Sequence, residues 1–348
     1  METVYIDYRR EGRDRASLQK AARTLQSGGL VAFPTETVYG LGASTFREKA
    51  LERIFEVKGR PQDNPLIVHL AEVSDMAKVA QKIPARAYLL AEKFWPGPLT
   101  LVLERSPSLP ARVSCGLGTV AVRVPSHPVA GELLREAGVP VAAPSANRSG
   151  SPSPTRAGHV WQDLAGKIEA IVDGGECDIG VESTVLDLSG EAPVLLRPGG
   201  VTVEQLEDCL GESVVTGKSG EEKDAPVSPG LKYRHYAPRA LLFLFSGEPE
   251  KVEAEMTRHF RFWKARNYRV GLLCTGENPL RNEEAVVECL GPREDPERAA
   301  FLFYSALRQM DQQGVDVILV EGYPETGVGL ALMNRMKKAA REVIQCER

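Results

Sequence analysis

Hydroxyl, amide and guanidinium groups crowd one short loop in the N-terminal half of the chain. In the segment APSANRSGSPS, residues 143–153, Ser145, Asn147 and Ser153 follow a run of small apolar residues that stops at Pro144. Glycine and proline account for a loop, but a loop requires only polarity and not these particular groups. This particular set of polar groups therefore raises the question of what the loop binds.

A second loop carries two cations. The segment EVKGRPQDNP, residues 56–65, places Lys58 and Arg60 on either side of a glycine, with Asn64 just beyond them. Two cations at the end of a predicted helix can simply compensate the helix dipole. A lysine and an arginine in a proline-flanked loop also suit phosphate or carboxylate groups. From the residues alone, both interpretations remain open.

A third loop is rich in threonine. In FPTETVYGLG, residues 33–42, Thr35, Glu36, Thr37 and Tyr39 stand between an apolar run and two glycines. Hydroxyl groups and free backbone N–H groups at such a place can line a cleft at the end of a strand. A capped turn uses the same residue types, so this loop taken alone does not decide between the two.

Polar side chains recur at three other predicted strands. Thr119 and Arg123 lie in GTVAVRVP, Ser183 lies in GVESTVLD, and Arg197 lies in LLRPGG. Taken singly, each of these residues could be a polar residue of an edge strand, part of a turn or a solvent-exposed arginine. Taken together, cations and hydroxyls recur at strand ends of one sheet, where open α/β sheets usually bind ligands. Because few acidic side chains share these loops, we expect an anionic ligand.

Helix and strand periods alternate along the chain. Residues 16–29 predict a helix closed by two glycines, residues 30–35 predict a buried strand, and the alternation continues over residues 1–210. This predicts an α/β domain with a mixed sheet. Residues 211–239 lose the periodicity and predict a linker. Residues 240–348 predict a smaller Rossmann-like three-layer domain, without a G-x-G-x-x-G motif after its first strand.

The composition argues against several classes of protein. The chain has 348 residues, a net charge of −4 and six cysteines without a C-x-x-C pair. These features argue against a polycationic nucleic-acid binder, a zinc ribbon and a disulfide framework. The N-terminus carries acidic residues and no apolar core, and no apolar run reaches the roughly 18 residues that span a bilayer. We therefore predict a cytoplasmic protein.

Five of these segments also carry a family resemblance. PTETVYGLG, KGRPQDNPL, APSANRSG, GVESTVLD and LRPG, in this order, resemble the YrdC-like family of threonylcarbamoyl-AMP synthases over about residues 10–240. The linker segment SPGLKYRHYAP is similar to that of the long two-domain form. The resemblance implies a YrdC-like twisted mixed sheet with a concave cleft. It also implies condensation of L-threonine, bicarbonate and ATP into threonylcarbamoyl-AMP, with release of pyrophosphate.

The same resemblance implies roles for individual residues. Lys58 and Arg60 are expected to be the catalytic cations at the phosphates and the carbamate. The implied ATP site comprises Lys58, Arg60, Asn64, Thr119, Ser145, Asn147, Ser153, Arg197, His235 and Tyr236. The implied threonine site comprises Thr35, Thr37, Tyr39, His69, Arg123, Ala143 and Ser183. Mg²⁺ is expected on the ATP phosphates, and no side chain is assigned as a metal ligand.

The linker is expected to be an active-site lid. A lid excludes water, which protects a carbamate that loses CO₂ and a mixed anhydride that hydrolyses. His235 or Tyr236 of this segment is expected to reach the nucleotide. Without the resemblance, a proline-bounded tether between two domains explains the segment equally well.

The resemblance also implies partners, and two other functions compete with it. The implied partners are the three substrates and a downstream threonylcarbamoyl transferase machinery that modifies tRNA; weak tRNA binding is left open, and no membrane is expected. One competing hypothesis is a module that binds double-stranded RNA or tRNA without making the adenylate. The acidic balance stands against it, and the cationic loops carry no aromatic platforms interleaved with arginine. The other is carbamoyl transfer from carbamoyl phosphate, whose enzymes carry acylphosphatase and zinc-finger regions that this sequence lacks.

Overall fold

The chain folds into two compact units. The computed structural model describes residues 1–9, 14–216, 236–282 and 285–346. The first unit comprises Met1–Ser149 and Ser153–Tyr233, and the second comprises Gly150–Pro152 and Arg234–Arg348. Of the predicted linker, residues 217–235 lie outside the described residues, and His235 lies among them.

The first unit is built on one mixed sheet. Its described strands are β1 (Val4–Asp7), β2 (Val31–Phe33), β3 (Gly40–Ser44), β4 (Ile67–His69), β5 (Leu99–Glu104), β6 (Thr119–Arg123), β7 (Val141–Ala142), β8 (Ala170–Asp173), β9 (Thr184–Asp187), β10 (Val194–Arg197) and β11 (Val215–Thr216). They lie in the order β1-β8-β2-β3-β7-β4-β6-β5-β9-β10-β11. Its described helices are α1 (Arg15–Ser27), α2 (Glu48–Lys58), α3 (Met76–Val79), α4 (Ala85–Phe94), α5 (Pro128–Ala137), α6 (Ala157–Leu164) and α7 (Val203–Leu210).

The strands run in both directions. β3 pairs antiparallel with β2 and with β7, and β4 pairs antiparallel with β7. β6 runs parallel to β4, β5 runs antiparallel to β6, and β9 and β10 form an antiparallel pair beside β5. The predicted mixed α/β fold is therefore confirmed. The C-terminal ends of β2 and β7 therefore lie on one side of the sheet, and those of β4, β6 and β10 lie on the opposite side.

Helices cover one face of this sheet only in part. On one face, α1 and α5 pack against apolar residues of β2, β7 and β8. On the opposite face, α2, α4 and α6 pack against the main core, to which Val68, Val120 and Val122 belong. Where the α1 and α5 face continues over β4, β6, β5 and β9, its buried apolar cluster contains strand residues only, Ile67, Val102, Ala121 and Val185. This strand surface is the place where polar side chains accumulate.

Local signals in the sequence explain the first helix. The helix predicted over residues 16–29 is observed as α1. The Asp14 side chain accepts a hydrogen bond from the Ala16 N–H, which satisfies one of the free donors of the first turn. Gly28 ends the helix with a φ of 92°, a left-handed conformation that glycine adopts without a steric penalty. The strand predicted over residues 30–35 follows as β2.

The second unit is a parallel sheet with helices. Its described strands are β12 (Leu241–Gly247), β13 (Val270–Cys274), β14 (Val286–Cys289), β15 (Val317–Glu321) and β16 (Glu342–Cys346), in the order β14-β13-β15-β12-β16 and with parallel pairing throughout. Its described helices are α8 (Pro249–Lys264), α9 (Pro296–Gln312) and α10 (Val328–Ala339). α8 packs on one face, against Phe243 and Phe245. Leu242 and Leu244 of the other face are also buried, as expected for a parallel sheet covered on both sides.

The helices of both units are short, and the longest described one, α9, has 17 residues. Within the described ranges, none of these helices has the length and apolar character that crossing a bilayer requires.

Candidate active site

The strand surface formed by β4, β6, β5 and β9 carries several of the predicted polar residues. Alternate side chains of a strand point to opposite faces of its sheet. Thr119, Ala121 and Arg123 of β6 therefore share the face that carries the small apolar cluster, while Val120 and Val122 point into the main core. His69 of β4 lies beside Arg123 in register, so it shares that face.

Arg123 is a buried cation that connects three chain segments. It is 3% exposed. Its Nε donates to the Gly97 carbonyl at 3.2 Å, and its Nη1 donates to Thr37 Oγ1 at 2.9 Å. Its Nη2 lies 2.6 Å from Glu36 Oε1. The loop between β2 and β3 must therefore fold back over the sheet, because Arg123 ends a strand that runs opposite to β2.

The two threonines of that loop hold its shape. Thr35 Oγ1 lies 2.8 Å from Thr37 Oγ1 and donates to the Val38 carbonyl at 2.7 Å. It also accepts a hydrogen bond from the Thr37 N–H at 3.2 Å. Both side chains are buried. The loop is consequently rigid in its internal bonding and presents Glu36 and Arg123 as neighbours.

His69 is a neutral imidazole in this environment. Burial, followed by the positive charge of Arg123, lowers its pKa from 6.5 to about 3. Its Nδ1 lies 3.2 Å from the Ile67 carbonyl, and its ring meets Phe33 edge to face with centroids 5.9 Å apart. A neutral ring beside a guanidinium contributes hydrogen-bonding capacity without adding a second positive charge.

This pKa predicts an acid sensitivity of folding. The unfolded chain binds a proton at His69 near pH 6.5, whereas the folded chain does so only near pH 3. The stabilisation is therefore complete above pH 6.5 and is lost as the pH falls below it, by about 1.4 kcal/mol per pH unit. We expect the unfolding free energy to fall by about 2 kcal/mol from pH 7 to pH 5 through this residue.

The measurement is urea unfolding at several pH values for the wild type and for His69→Gln. The remaining histidines are present in both proteins, so the difference between the two slopes isolates His69. Equal slopes between pH 7 and pH 5 would show that His69 is protonated as readily in the folded chain as in the unfolded one.

Lys58 and Arg60 form a second group at the end of α2. The Lys58 ammonium donates to the carbonyls of Ser145 and Asn147, each at 2.5 Å, so it joins α2 to the loop after β7. The Arg60 guanidinium donates to the carbonyls of Asn64 and Pro65 at 3.0 and 2.8 Å. Both side chains are buried. They therefore do more than compensate the dipole of α2, because each one shapes a predicted binding loop.

Asn64 holds an unused acceptor in this group. The residue is 1% exposed, and within the described ranges its Oδ1 has no hydrogen-bond partner. A buried amide oxygen without a donor is costly. A ligand N–H or O–H group is the natural way to satisfy it.

Ser183 and Arg197 form a third group where β9 begins and β10 ends. The Arg197 Nε donates to the Ser183 carbonyl at 3.0 Å, and its Nη2 donates to Ser183 Oγ at 3.1 Å. Ser183 Oγ also lies 2.8 Å from Thr100 Oγ1. Ser153 Oγ donates to Glu182 Oε1 at 2.5 Å, which ties the end of the serine-rich loop to the same place.

Backbone bonds also connect the segments that carry these groups. Ala143 N–H donates to the Ile67 carbonyl, and Ser145 forms an isolated bridge with Gly40. The Ile179 N–H donates to the Glu36 carbonyl at 2.8 Å. These bonds connect the loop after β7 to β3 and β4, and the loop after β2 to the segment before β9.

Comparisons with known proteins identify the family. The family described as telomere recombination matches residues 23–199, and the family described as threonylcarbamoyl-AMP synthase, C-terminal domain, matches residues 201–341. The chain is 48% identical over 324 residues to the threonylcarbamoyl-AMP synthase of Bacillus subtilis, covering 93% of this chain and 92% of that relative. The chain belongs to the threonylcarbamoyl-AMP synthase family. The family named from the sequence motifs is thereby confirmed.

Other members of the threonylcarbamoyl-AMP synthase family agree with the whole chain or with its first part. The crystal structure of Sua5 from Pyrococcus abyssi complexed with L-threonine matches with a TM-score of 0.93 and 47% identity, covering 99% of each chain. A putative threonylcarbamoyl-AMP synthase of Mycobacterium tuberculosis is 39% identical over 191 residues, which cover 55% of this chain and 88% of that protein.

Some of the predicted site residues are buried or only partly exposed. Tyr39 is fully buried in the main core, where its hydroxyl donates to the Gly175 carbonyl at 2.6 Å and burial raises its pKa. We therefore assign Tyr39 to packing, with its backbone bonded to Pro154 and Ala146. Ala143 is also buried, and Thr119 is only partly exposed.

Tyr236 is the one described residue of the predicted lid pair. It belongs to the second unit, where its ring packs on Tyr304 with centroids 5.5 Å apart and lies near Arg335. Its φ of 66° is left-handed, which is unusual for an aromatic residue. Contact of Tyr236 or His235 with a nucleotide stays a prediction.

Three further polar residues contact the predicted site residues, although none of them was assigned a role from the sequence. Glu36, Thr100 and Glu182 are buried and contact Arg123, Ser183 and Ser153 respectively. Glu36 and Glu182 stand inside the quoted motifs PTETVYGLG and GVESTVLD, but the resemblance assigned a role to neither. Thr100 gave a weaker signal, since a threonine in an apolar strand is common.

Proposed function

We propose that this chain condenses L-threonine, bicarbonate and ATP into threonylcarbamoyl-AMP, with release of pyrophosphate and water. The observation that carries the proposal is the 48% identity to the threonylcarbamoyl-AMP synthase of Pyrococcus abyssi over 97% of this chain and 98% of that relative. The cations and hydroxyls of the first unit supply the chemistry that two anionic reactants need.

The reaction requires positioning and charge neutralisation rather than a protein nucleophile. Threonine and bicarbonate yield a carbamate, whose oxygen attacks the α-phosphorus of ATP as pyrophosphate leaves in line. Both reactants are negatively charged, so preorganised cations lower the barrier most effectively. Lys58 and Arg60 are proposed to face the phosphates and the carbamate, because their positive charges are held in fixed positions by backbone carbonyls.

The remaining residues divide between the two substrates. For the nucleotide we propose Asn64, Thr119, Ser145, Asn147, Ser153 and Arg197, and also His235 and Tyr236 of the lid. For threonine we propose Thr35, Thr37, His69, Arg123, Ser183 and the backbone of Ala143. The open acceptor at Asn64 supports the first set, and the buried Arg123 guanidinium supports the second.

Mg²⁺ is proposed to arrive with ATP as part of the substrate. In the part of the chain that is described, no group of three or more histidine, cysteine, aspartate or glutamate side chains could hold a metal ion. Mg²⁺ is commonly bound through substrate phosphates and waters with few protein ligands. We therefore assign no side chain to it. We further propose a cytoplasmic setting in which a threonylcarbamoyl transferase consumes the product to modify tRNA.

The test is release of pyrophosphate by the full chain. With Mg²⁺, ATP, L-threonine and bicarbonate together we expect steady release, and omission of threonine or bicarbonate should abolish it. The adenylate should be visible by mass spectrometry in the complete mixture. Release that is independent of threonine, or tRNA binding without any adenylate, would contradict the proposal.

Threonine should be preferred over serine by a limited factor. The two amino acids differ by one methyl group, which is worth about 1–3 kcal/mol in a fitted pocket. We therefore expect kcat/KM for L-serine to be lower by about tenfold to two-hundredfold. The measurement is pyrophosphate release with each amino acid, with the KM for ATP as the control. Equal kcat/KM values would argue against a dedicated threonine pocket.

A further inference from the structure

Glu36 is a buried acid in the loop between β2 and β3. It is 2% exposed, between two threonines whose hydroxyls bond within the loop. Removing a carboxylate from water is costly unless partners replace the solvent. Arg123 supplies an opposite charge, with its Nη2 2.6 Å from Glu36 Oε1. This contact explains how the Oε1 atom of Glu36 tolerates burial, but it does not explain the burial of the second carboxylate oxygen, Oε2.

The pair presents an open acceptor next to an open donor. Within the described residues, Glu36 Oε2 has no hydrogen-bond partner, and the Nη2 group of Arg123 has none that meets hydrogen-bond geometry, although it pairs electrostatically with Oε1. The other nitrogens of Arg123 are committed to Gly97 and Thr37. Buried polar atoms of this kind are rare in folded proteins and call for a partner.

An α-amino acid has the matching charges. Its carboxylate and its ammonium group stand on the same carbon atom, one as an acceptor and the other as a donor. A guanidinium N–H and a carboxylate oxygen placed side by side are complementary to that arrangement. A divalent metal ion fits less well, because the Arg123 charge beside Glu36 would repel it.

We propose that Glu36 binds the α-ammonium group of threonine through Oε2 while Arg123 Nη2 binds the threonine carboxylate. This makes Glu36 a substrate-binding residue that recognises the amino group, and it rests on the proposed use of threonine as substrate. The amine is thereby held in a fixed orientation before the carbamate forms.

The experiment compares L-threonine with 2,3-dihydroxybutanoate, its analogue with a hydroxyl in place of the ammonium group. Binding of each compound to the full chain is measured by calorimetry for the wild type and for Glu36→Gln. The wild type should prefer threonine by at least about tenfold. In the variant, threonine should weaken by about tenfold to a hundredfold, whereas the analogue should change by less than about threefold, because it lacks the charged group.

Asp173→Asn is the matched control. Asp173 is also a buried acid, at 5% exposure, but it accepts hydrogen bonds from the Gly175 N–H at 2.9 Å and from Tyr39. This variant should lose stability and keep the wild-type preference for threonine. A merely structural role for Glu36 would give the same result in Glu36→Gln, and that result would overturn the proposal.

A second variant and the wild type alone also test the role of Glu36. If Glu36→Gln does not fold, Glu36→Asp should still weaken threonine more than the analogue, and equal binding of the two compounds by the wild type overturns the assignment by itself. A variant that changes the dependence on Mg²⁺ and ATP but not on threonine also overturns it. A chain that loses its preference for threonine in Glu36→Gln, and whose wild type releases no pyrophosphate, would contradict the proposed reaction and still support Glu36 as the amino-group ligand.

Discussion

Replacing Lys58 with methionine is expected to lower the turnover of pyrophosphate release by about a hundredfold or more. Loss of one preorganised electrostatic donor typically has an effect of this size, because the charge acts where negative charge accumulates in the transition state. Methionine keeps much of the side-chain volume and removes only the ammonium group. The measurement is kcat at saturating ATP, threonine and bicarbonate, with folding checked by circular dichroism.

The Lys58→Met variant needs a control for stability, because the Lys58 ammonium group also donates hydrogen bonds to two loop carbonyls. Losing those bonds should lower the unfolding free energy by about 1–3 kcal/mol. Arg86→Met is the matched control: Arg86 donates to the Glu191 carbonyl at 2.6 Å and to other carbonyls of the turn between β9 and β10, away from the predicted site. It should lose stability and retain turnover. Turnover of Lys58→Met within about threefold of this control would reduce Lys58 to a loop anchor.

Much of the fold is predictable because local signals and burial agree. The helix at residues 16–29 has an apolar stripe, an aspartate before it and a glycine after it, and it is observed as α1. β3 is harder to predict, since Gly40–Ser44 contains two glycines and little β-propensity. Its pairing with β2 and β7 supplies the stabilisation that its own residues lack.

The site is less predictable, because its geometry depends on strand directions. The loops with hydroxyls and cations were grouped by residue type, and hydrogen bonds connect several of them in the first unit. That they form one binding site stays a prediction. The sequence placed these side chains at strand ends without indicating the strand directions, and in the structure β2 and β7 end on one side of the sheet while β4, β6 and β10 end on the other. Alternation along β6 places Arg123 on a face of the sheet, where it contacts the loop after β2.

Contacts between distant residues account for what the sequence cannot predict. Nothing in the order of residues indicates that Glu36 approaches Arg123, which is far along the chain, or that Lys58 reaches the carbonyls after β7. Residue types alone suggested an anion site without acids. The buried ion pair places an acid among these loops, and the ligand proposed for that pair carries both charges.

Replacing Gly199 with alanine is expected to destabilise the first unit by about 3 kcal/mol, near the upper end for overpacking. A Cβ atom at this position would lie 2.1 Å from the Thr184 nitrogen and 2.6 Å from the Glu182 carbonyl oxygen. These are backbone atoms, so they cannot move aside as a flexible side chain would. The measurement is the free energy of unfolding in urea.

Gly190→Ala serves as the matched control within the turn between β9 and β10. A Cβ atom there meets no heavy atom within 4 Å, so we expect a change within about 0.5 kcal/mol. The comparison also bears on function. Gly199 lets the chain after Arg197 lie against Ser183, and the bonds between these two residues depend on that approach. Gly199→Ala should therefore raise the KM for ATP and threonine even at temperatures where the variant is folded, whereas unchanged stability and KM values would mean that the segment can shift without disturbing the site.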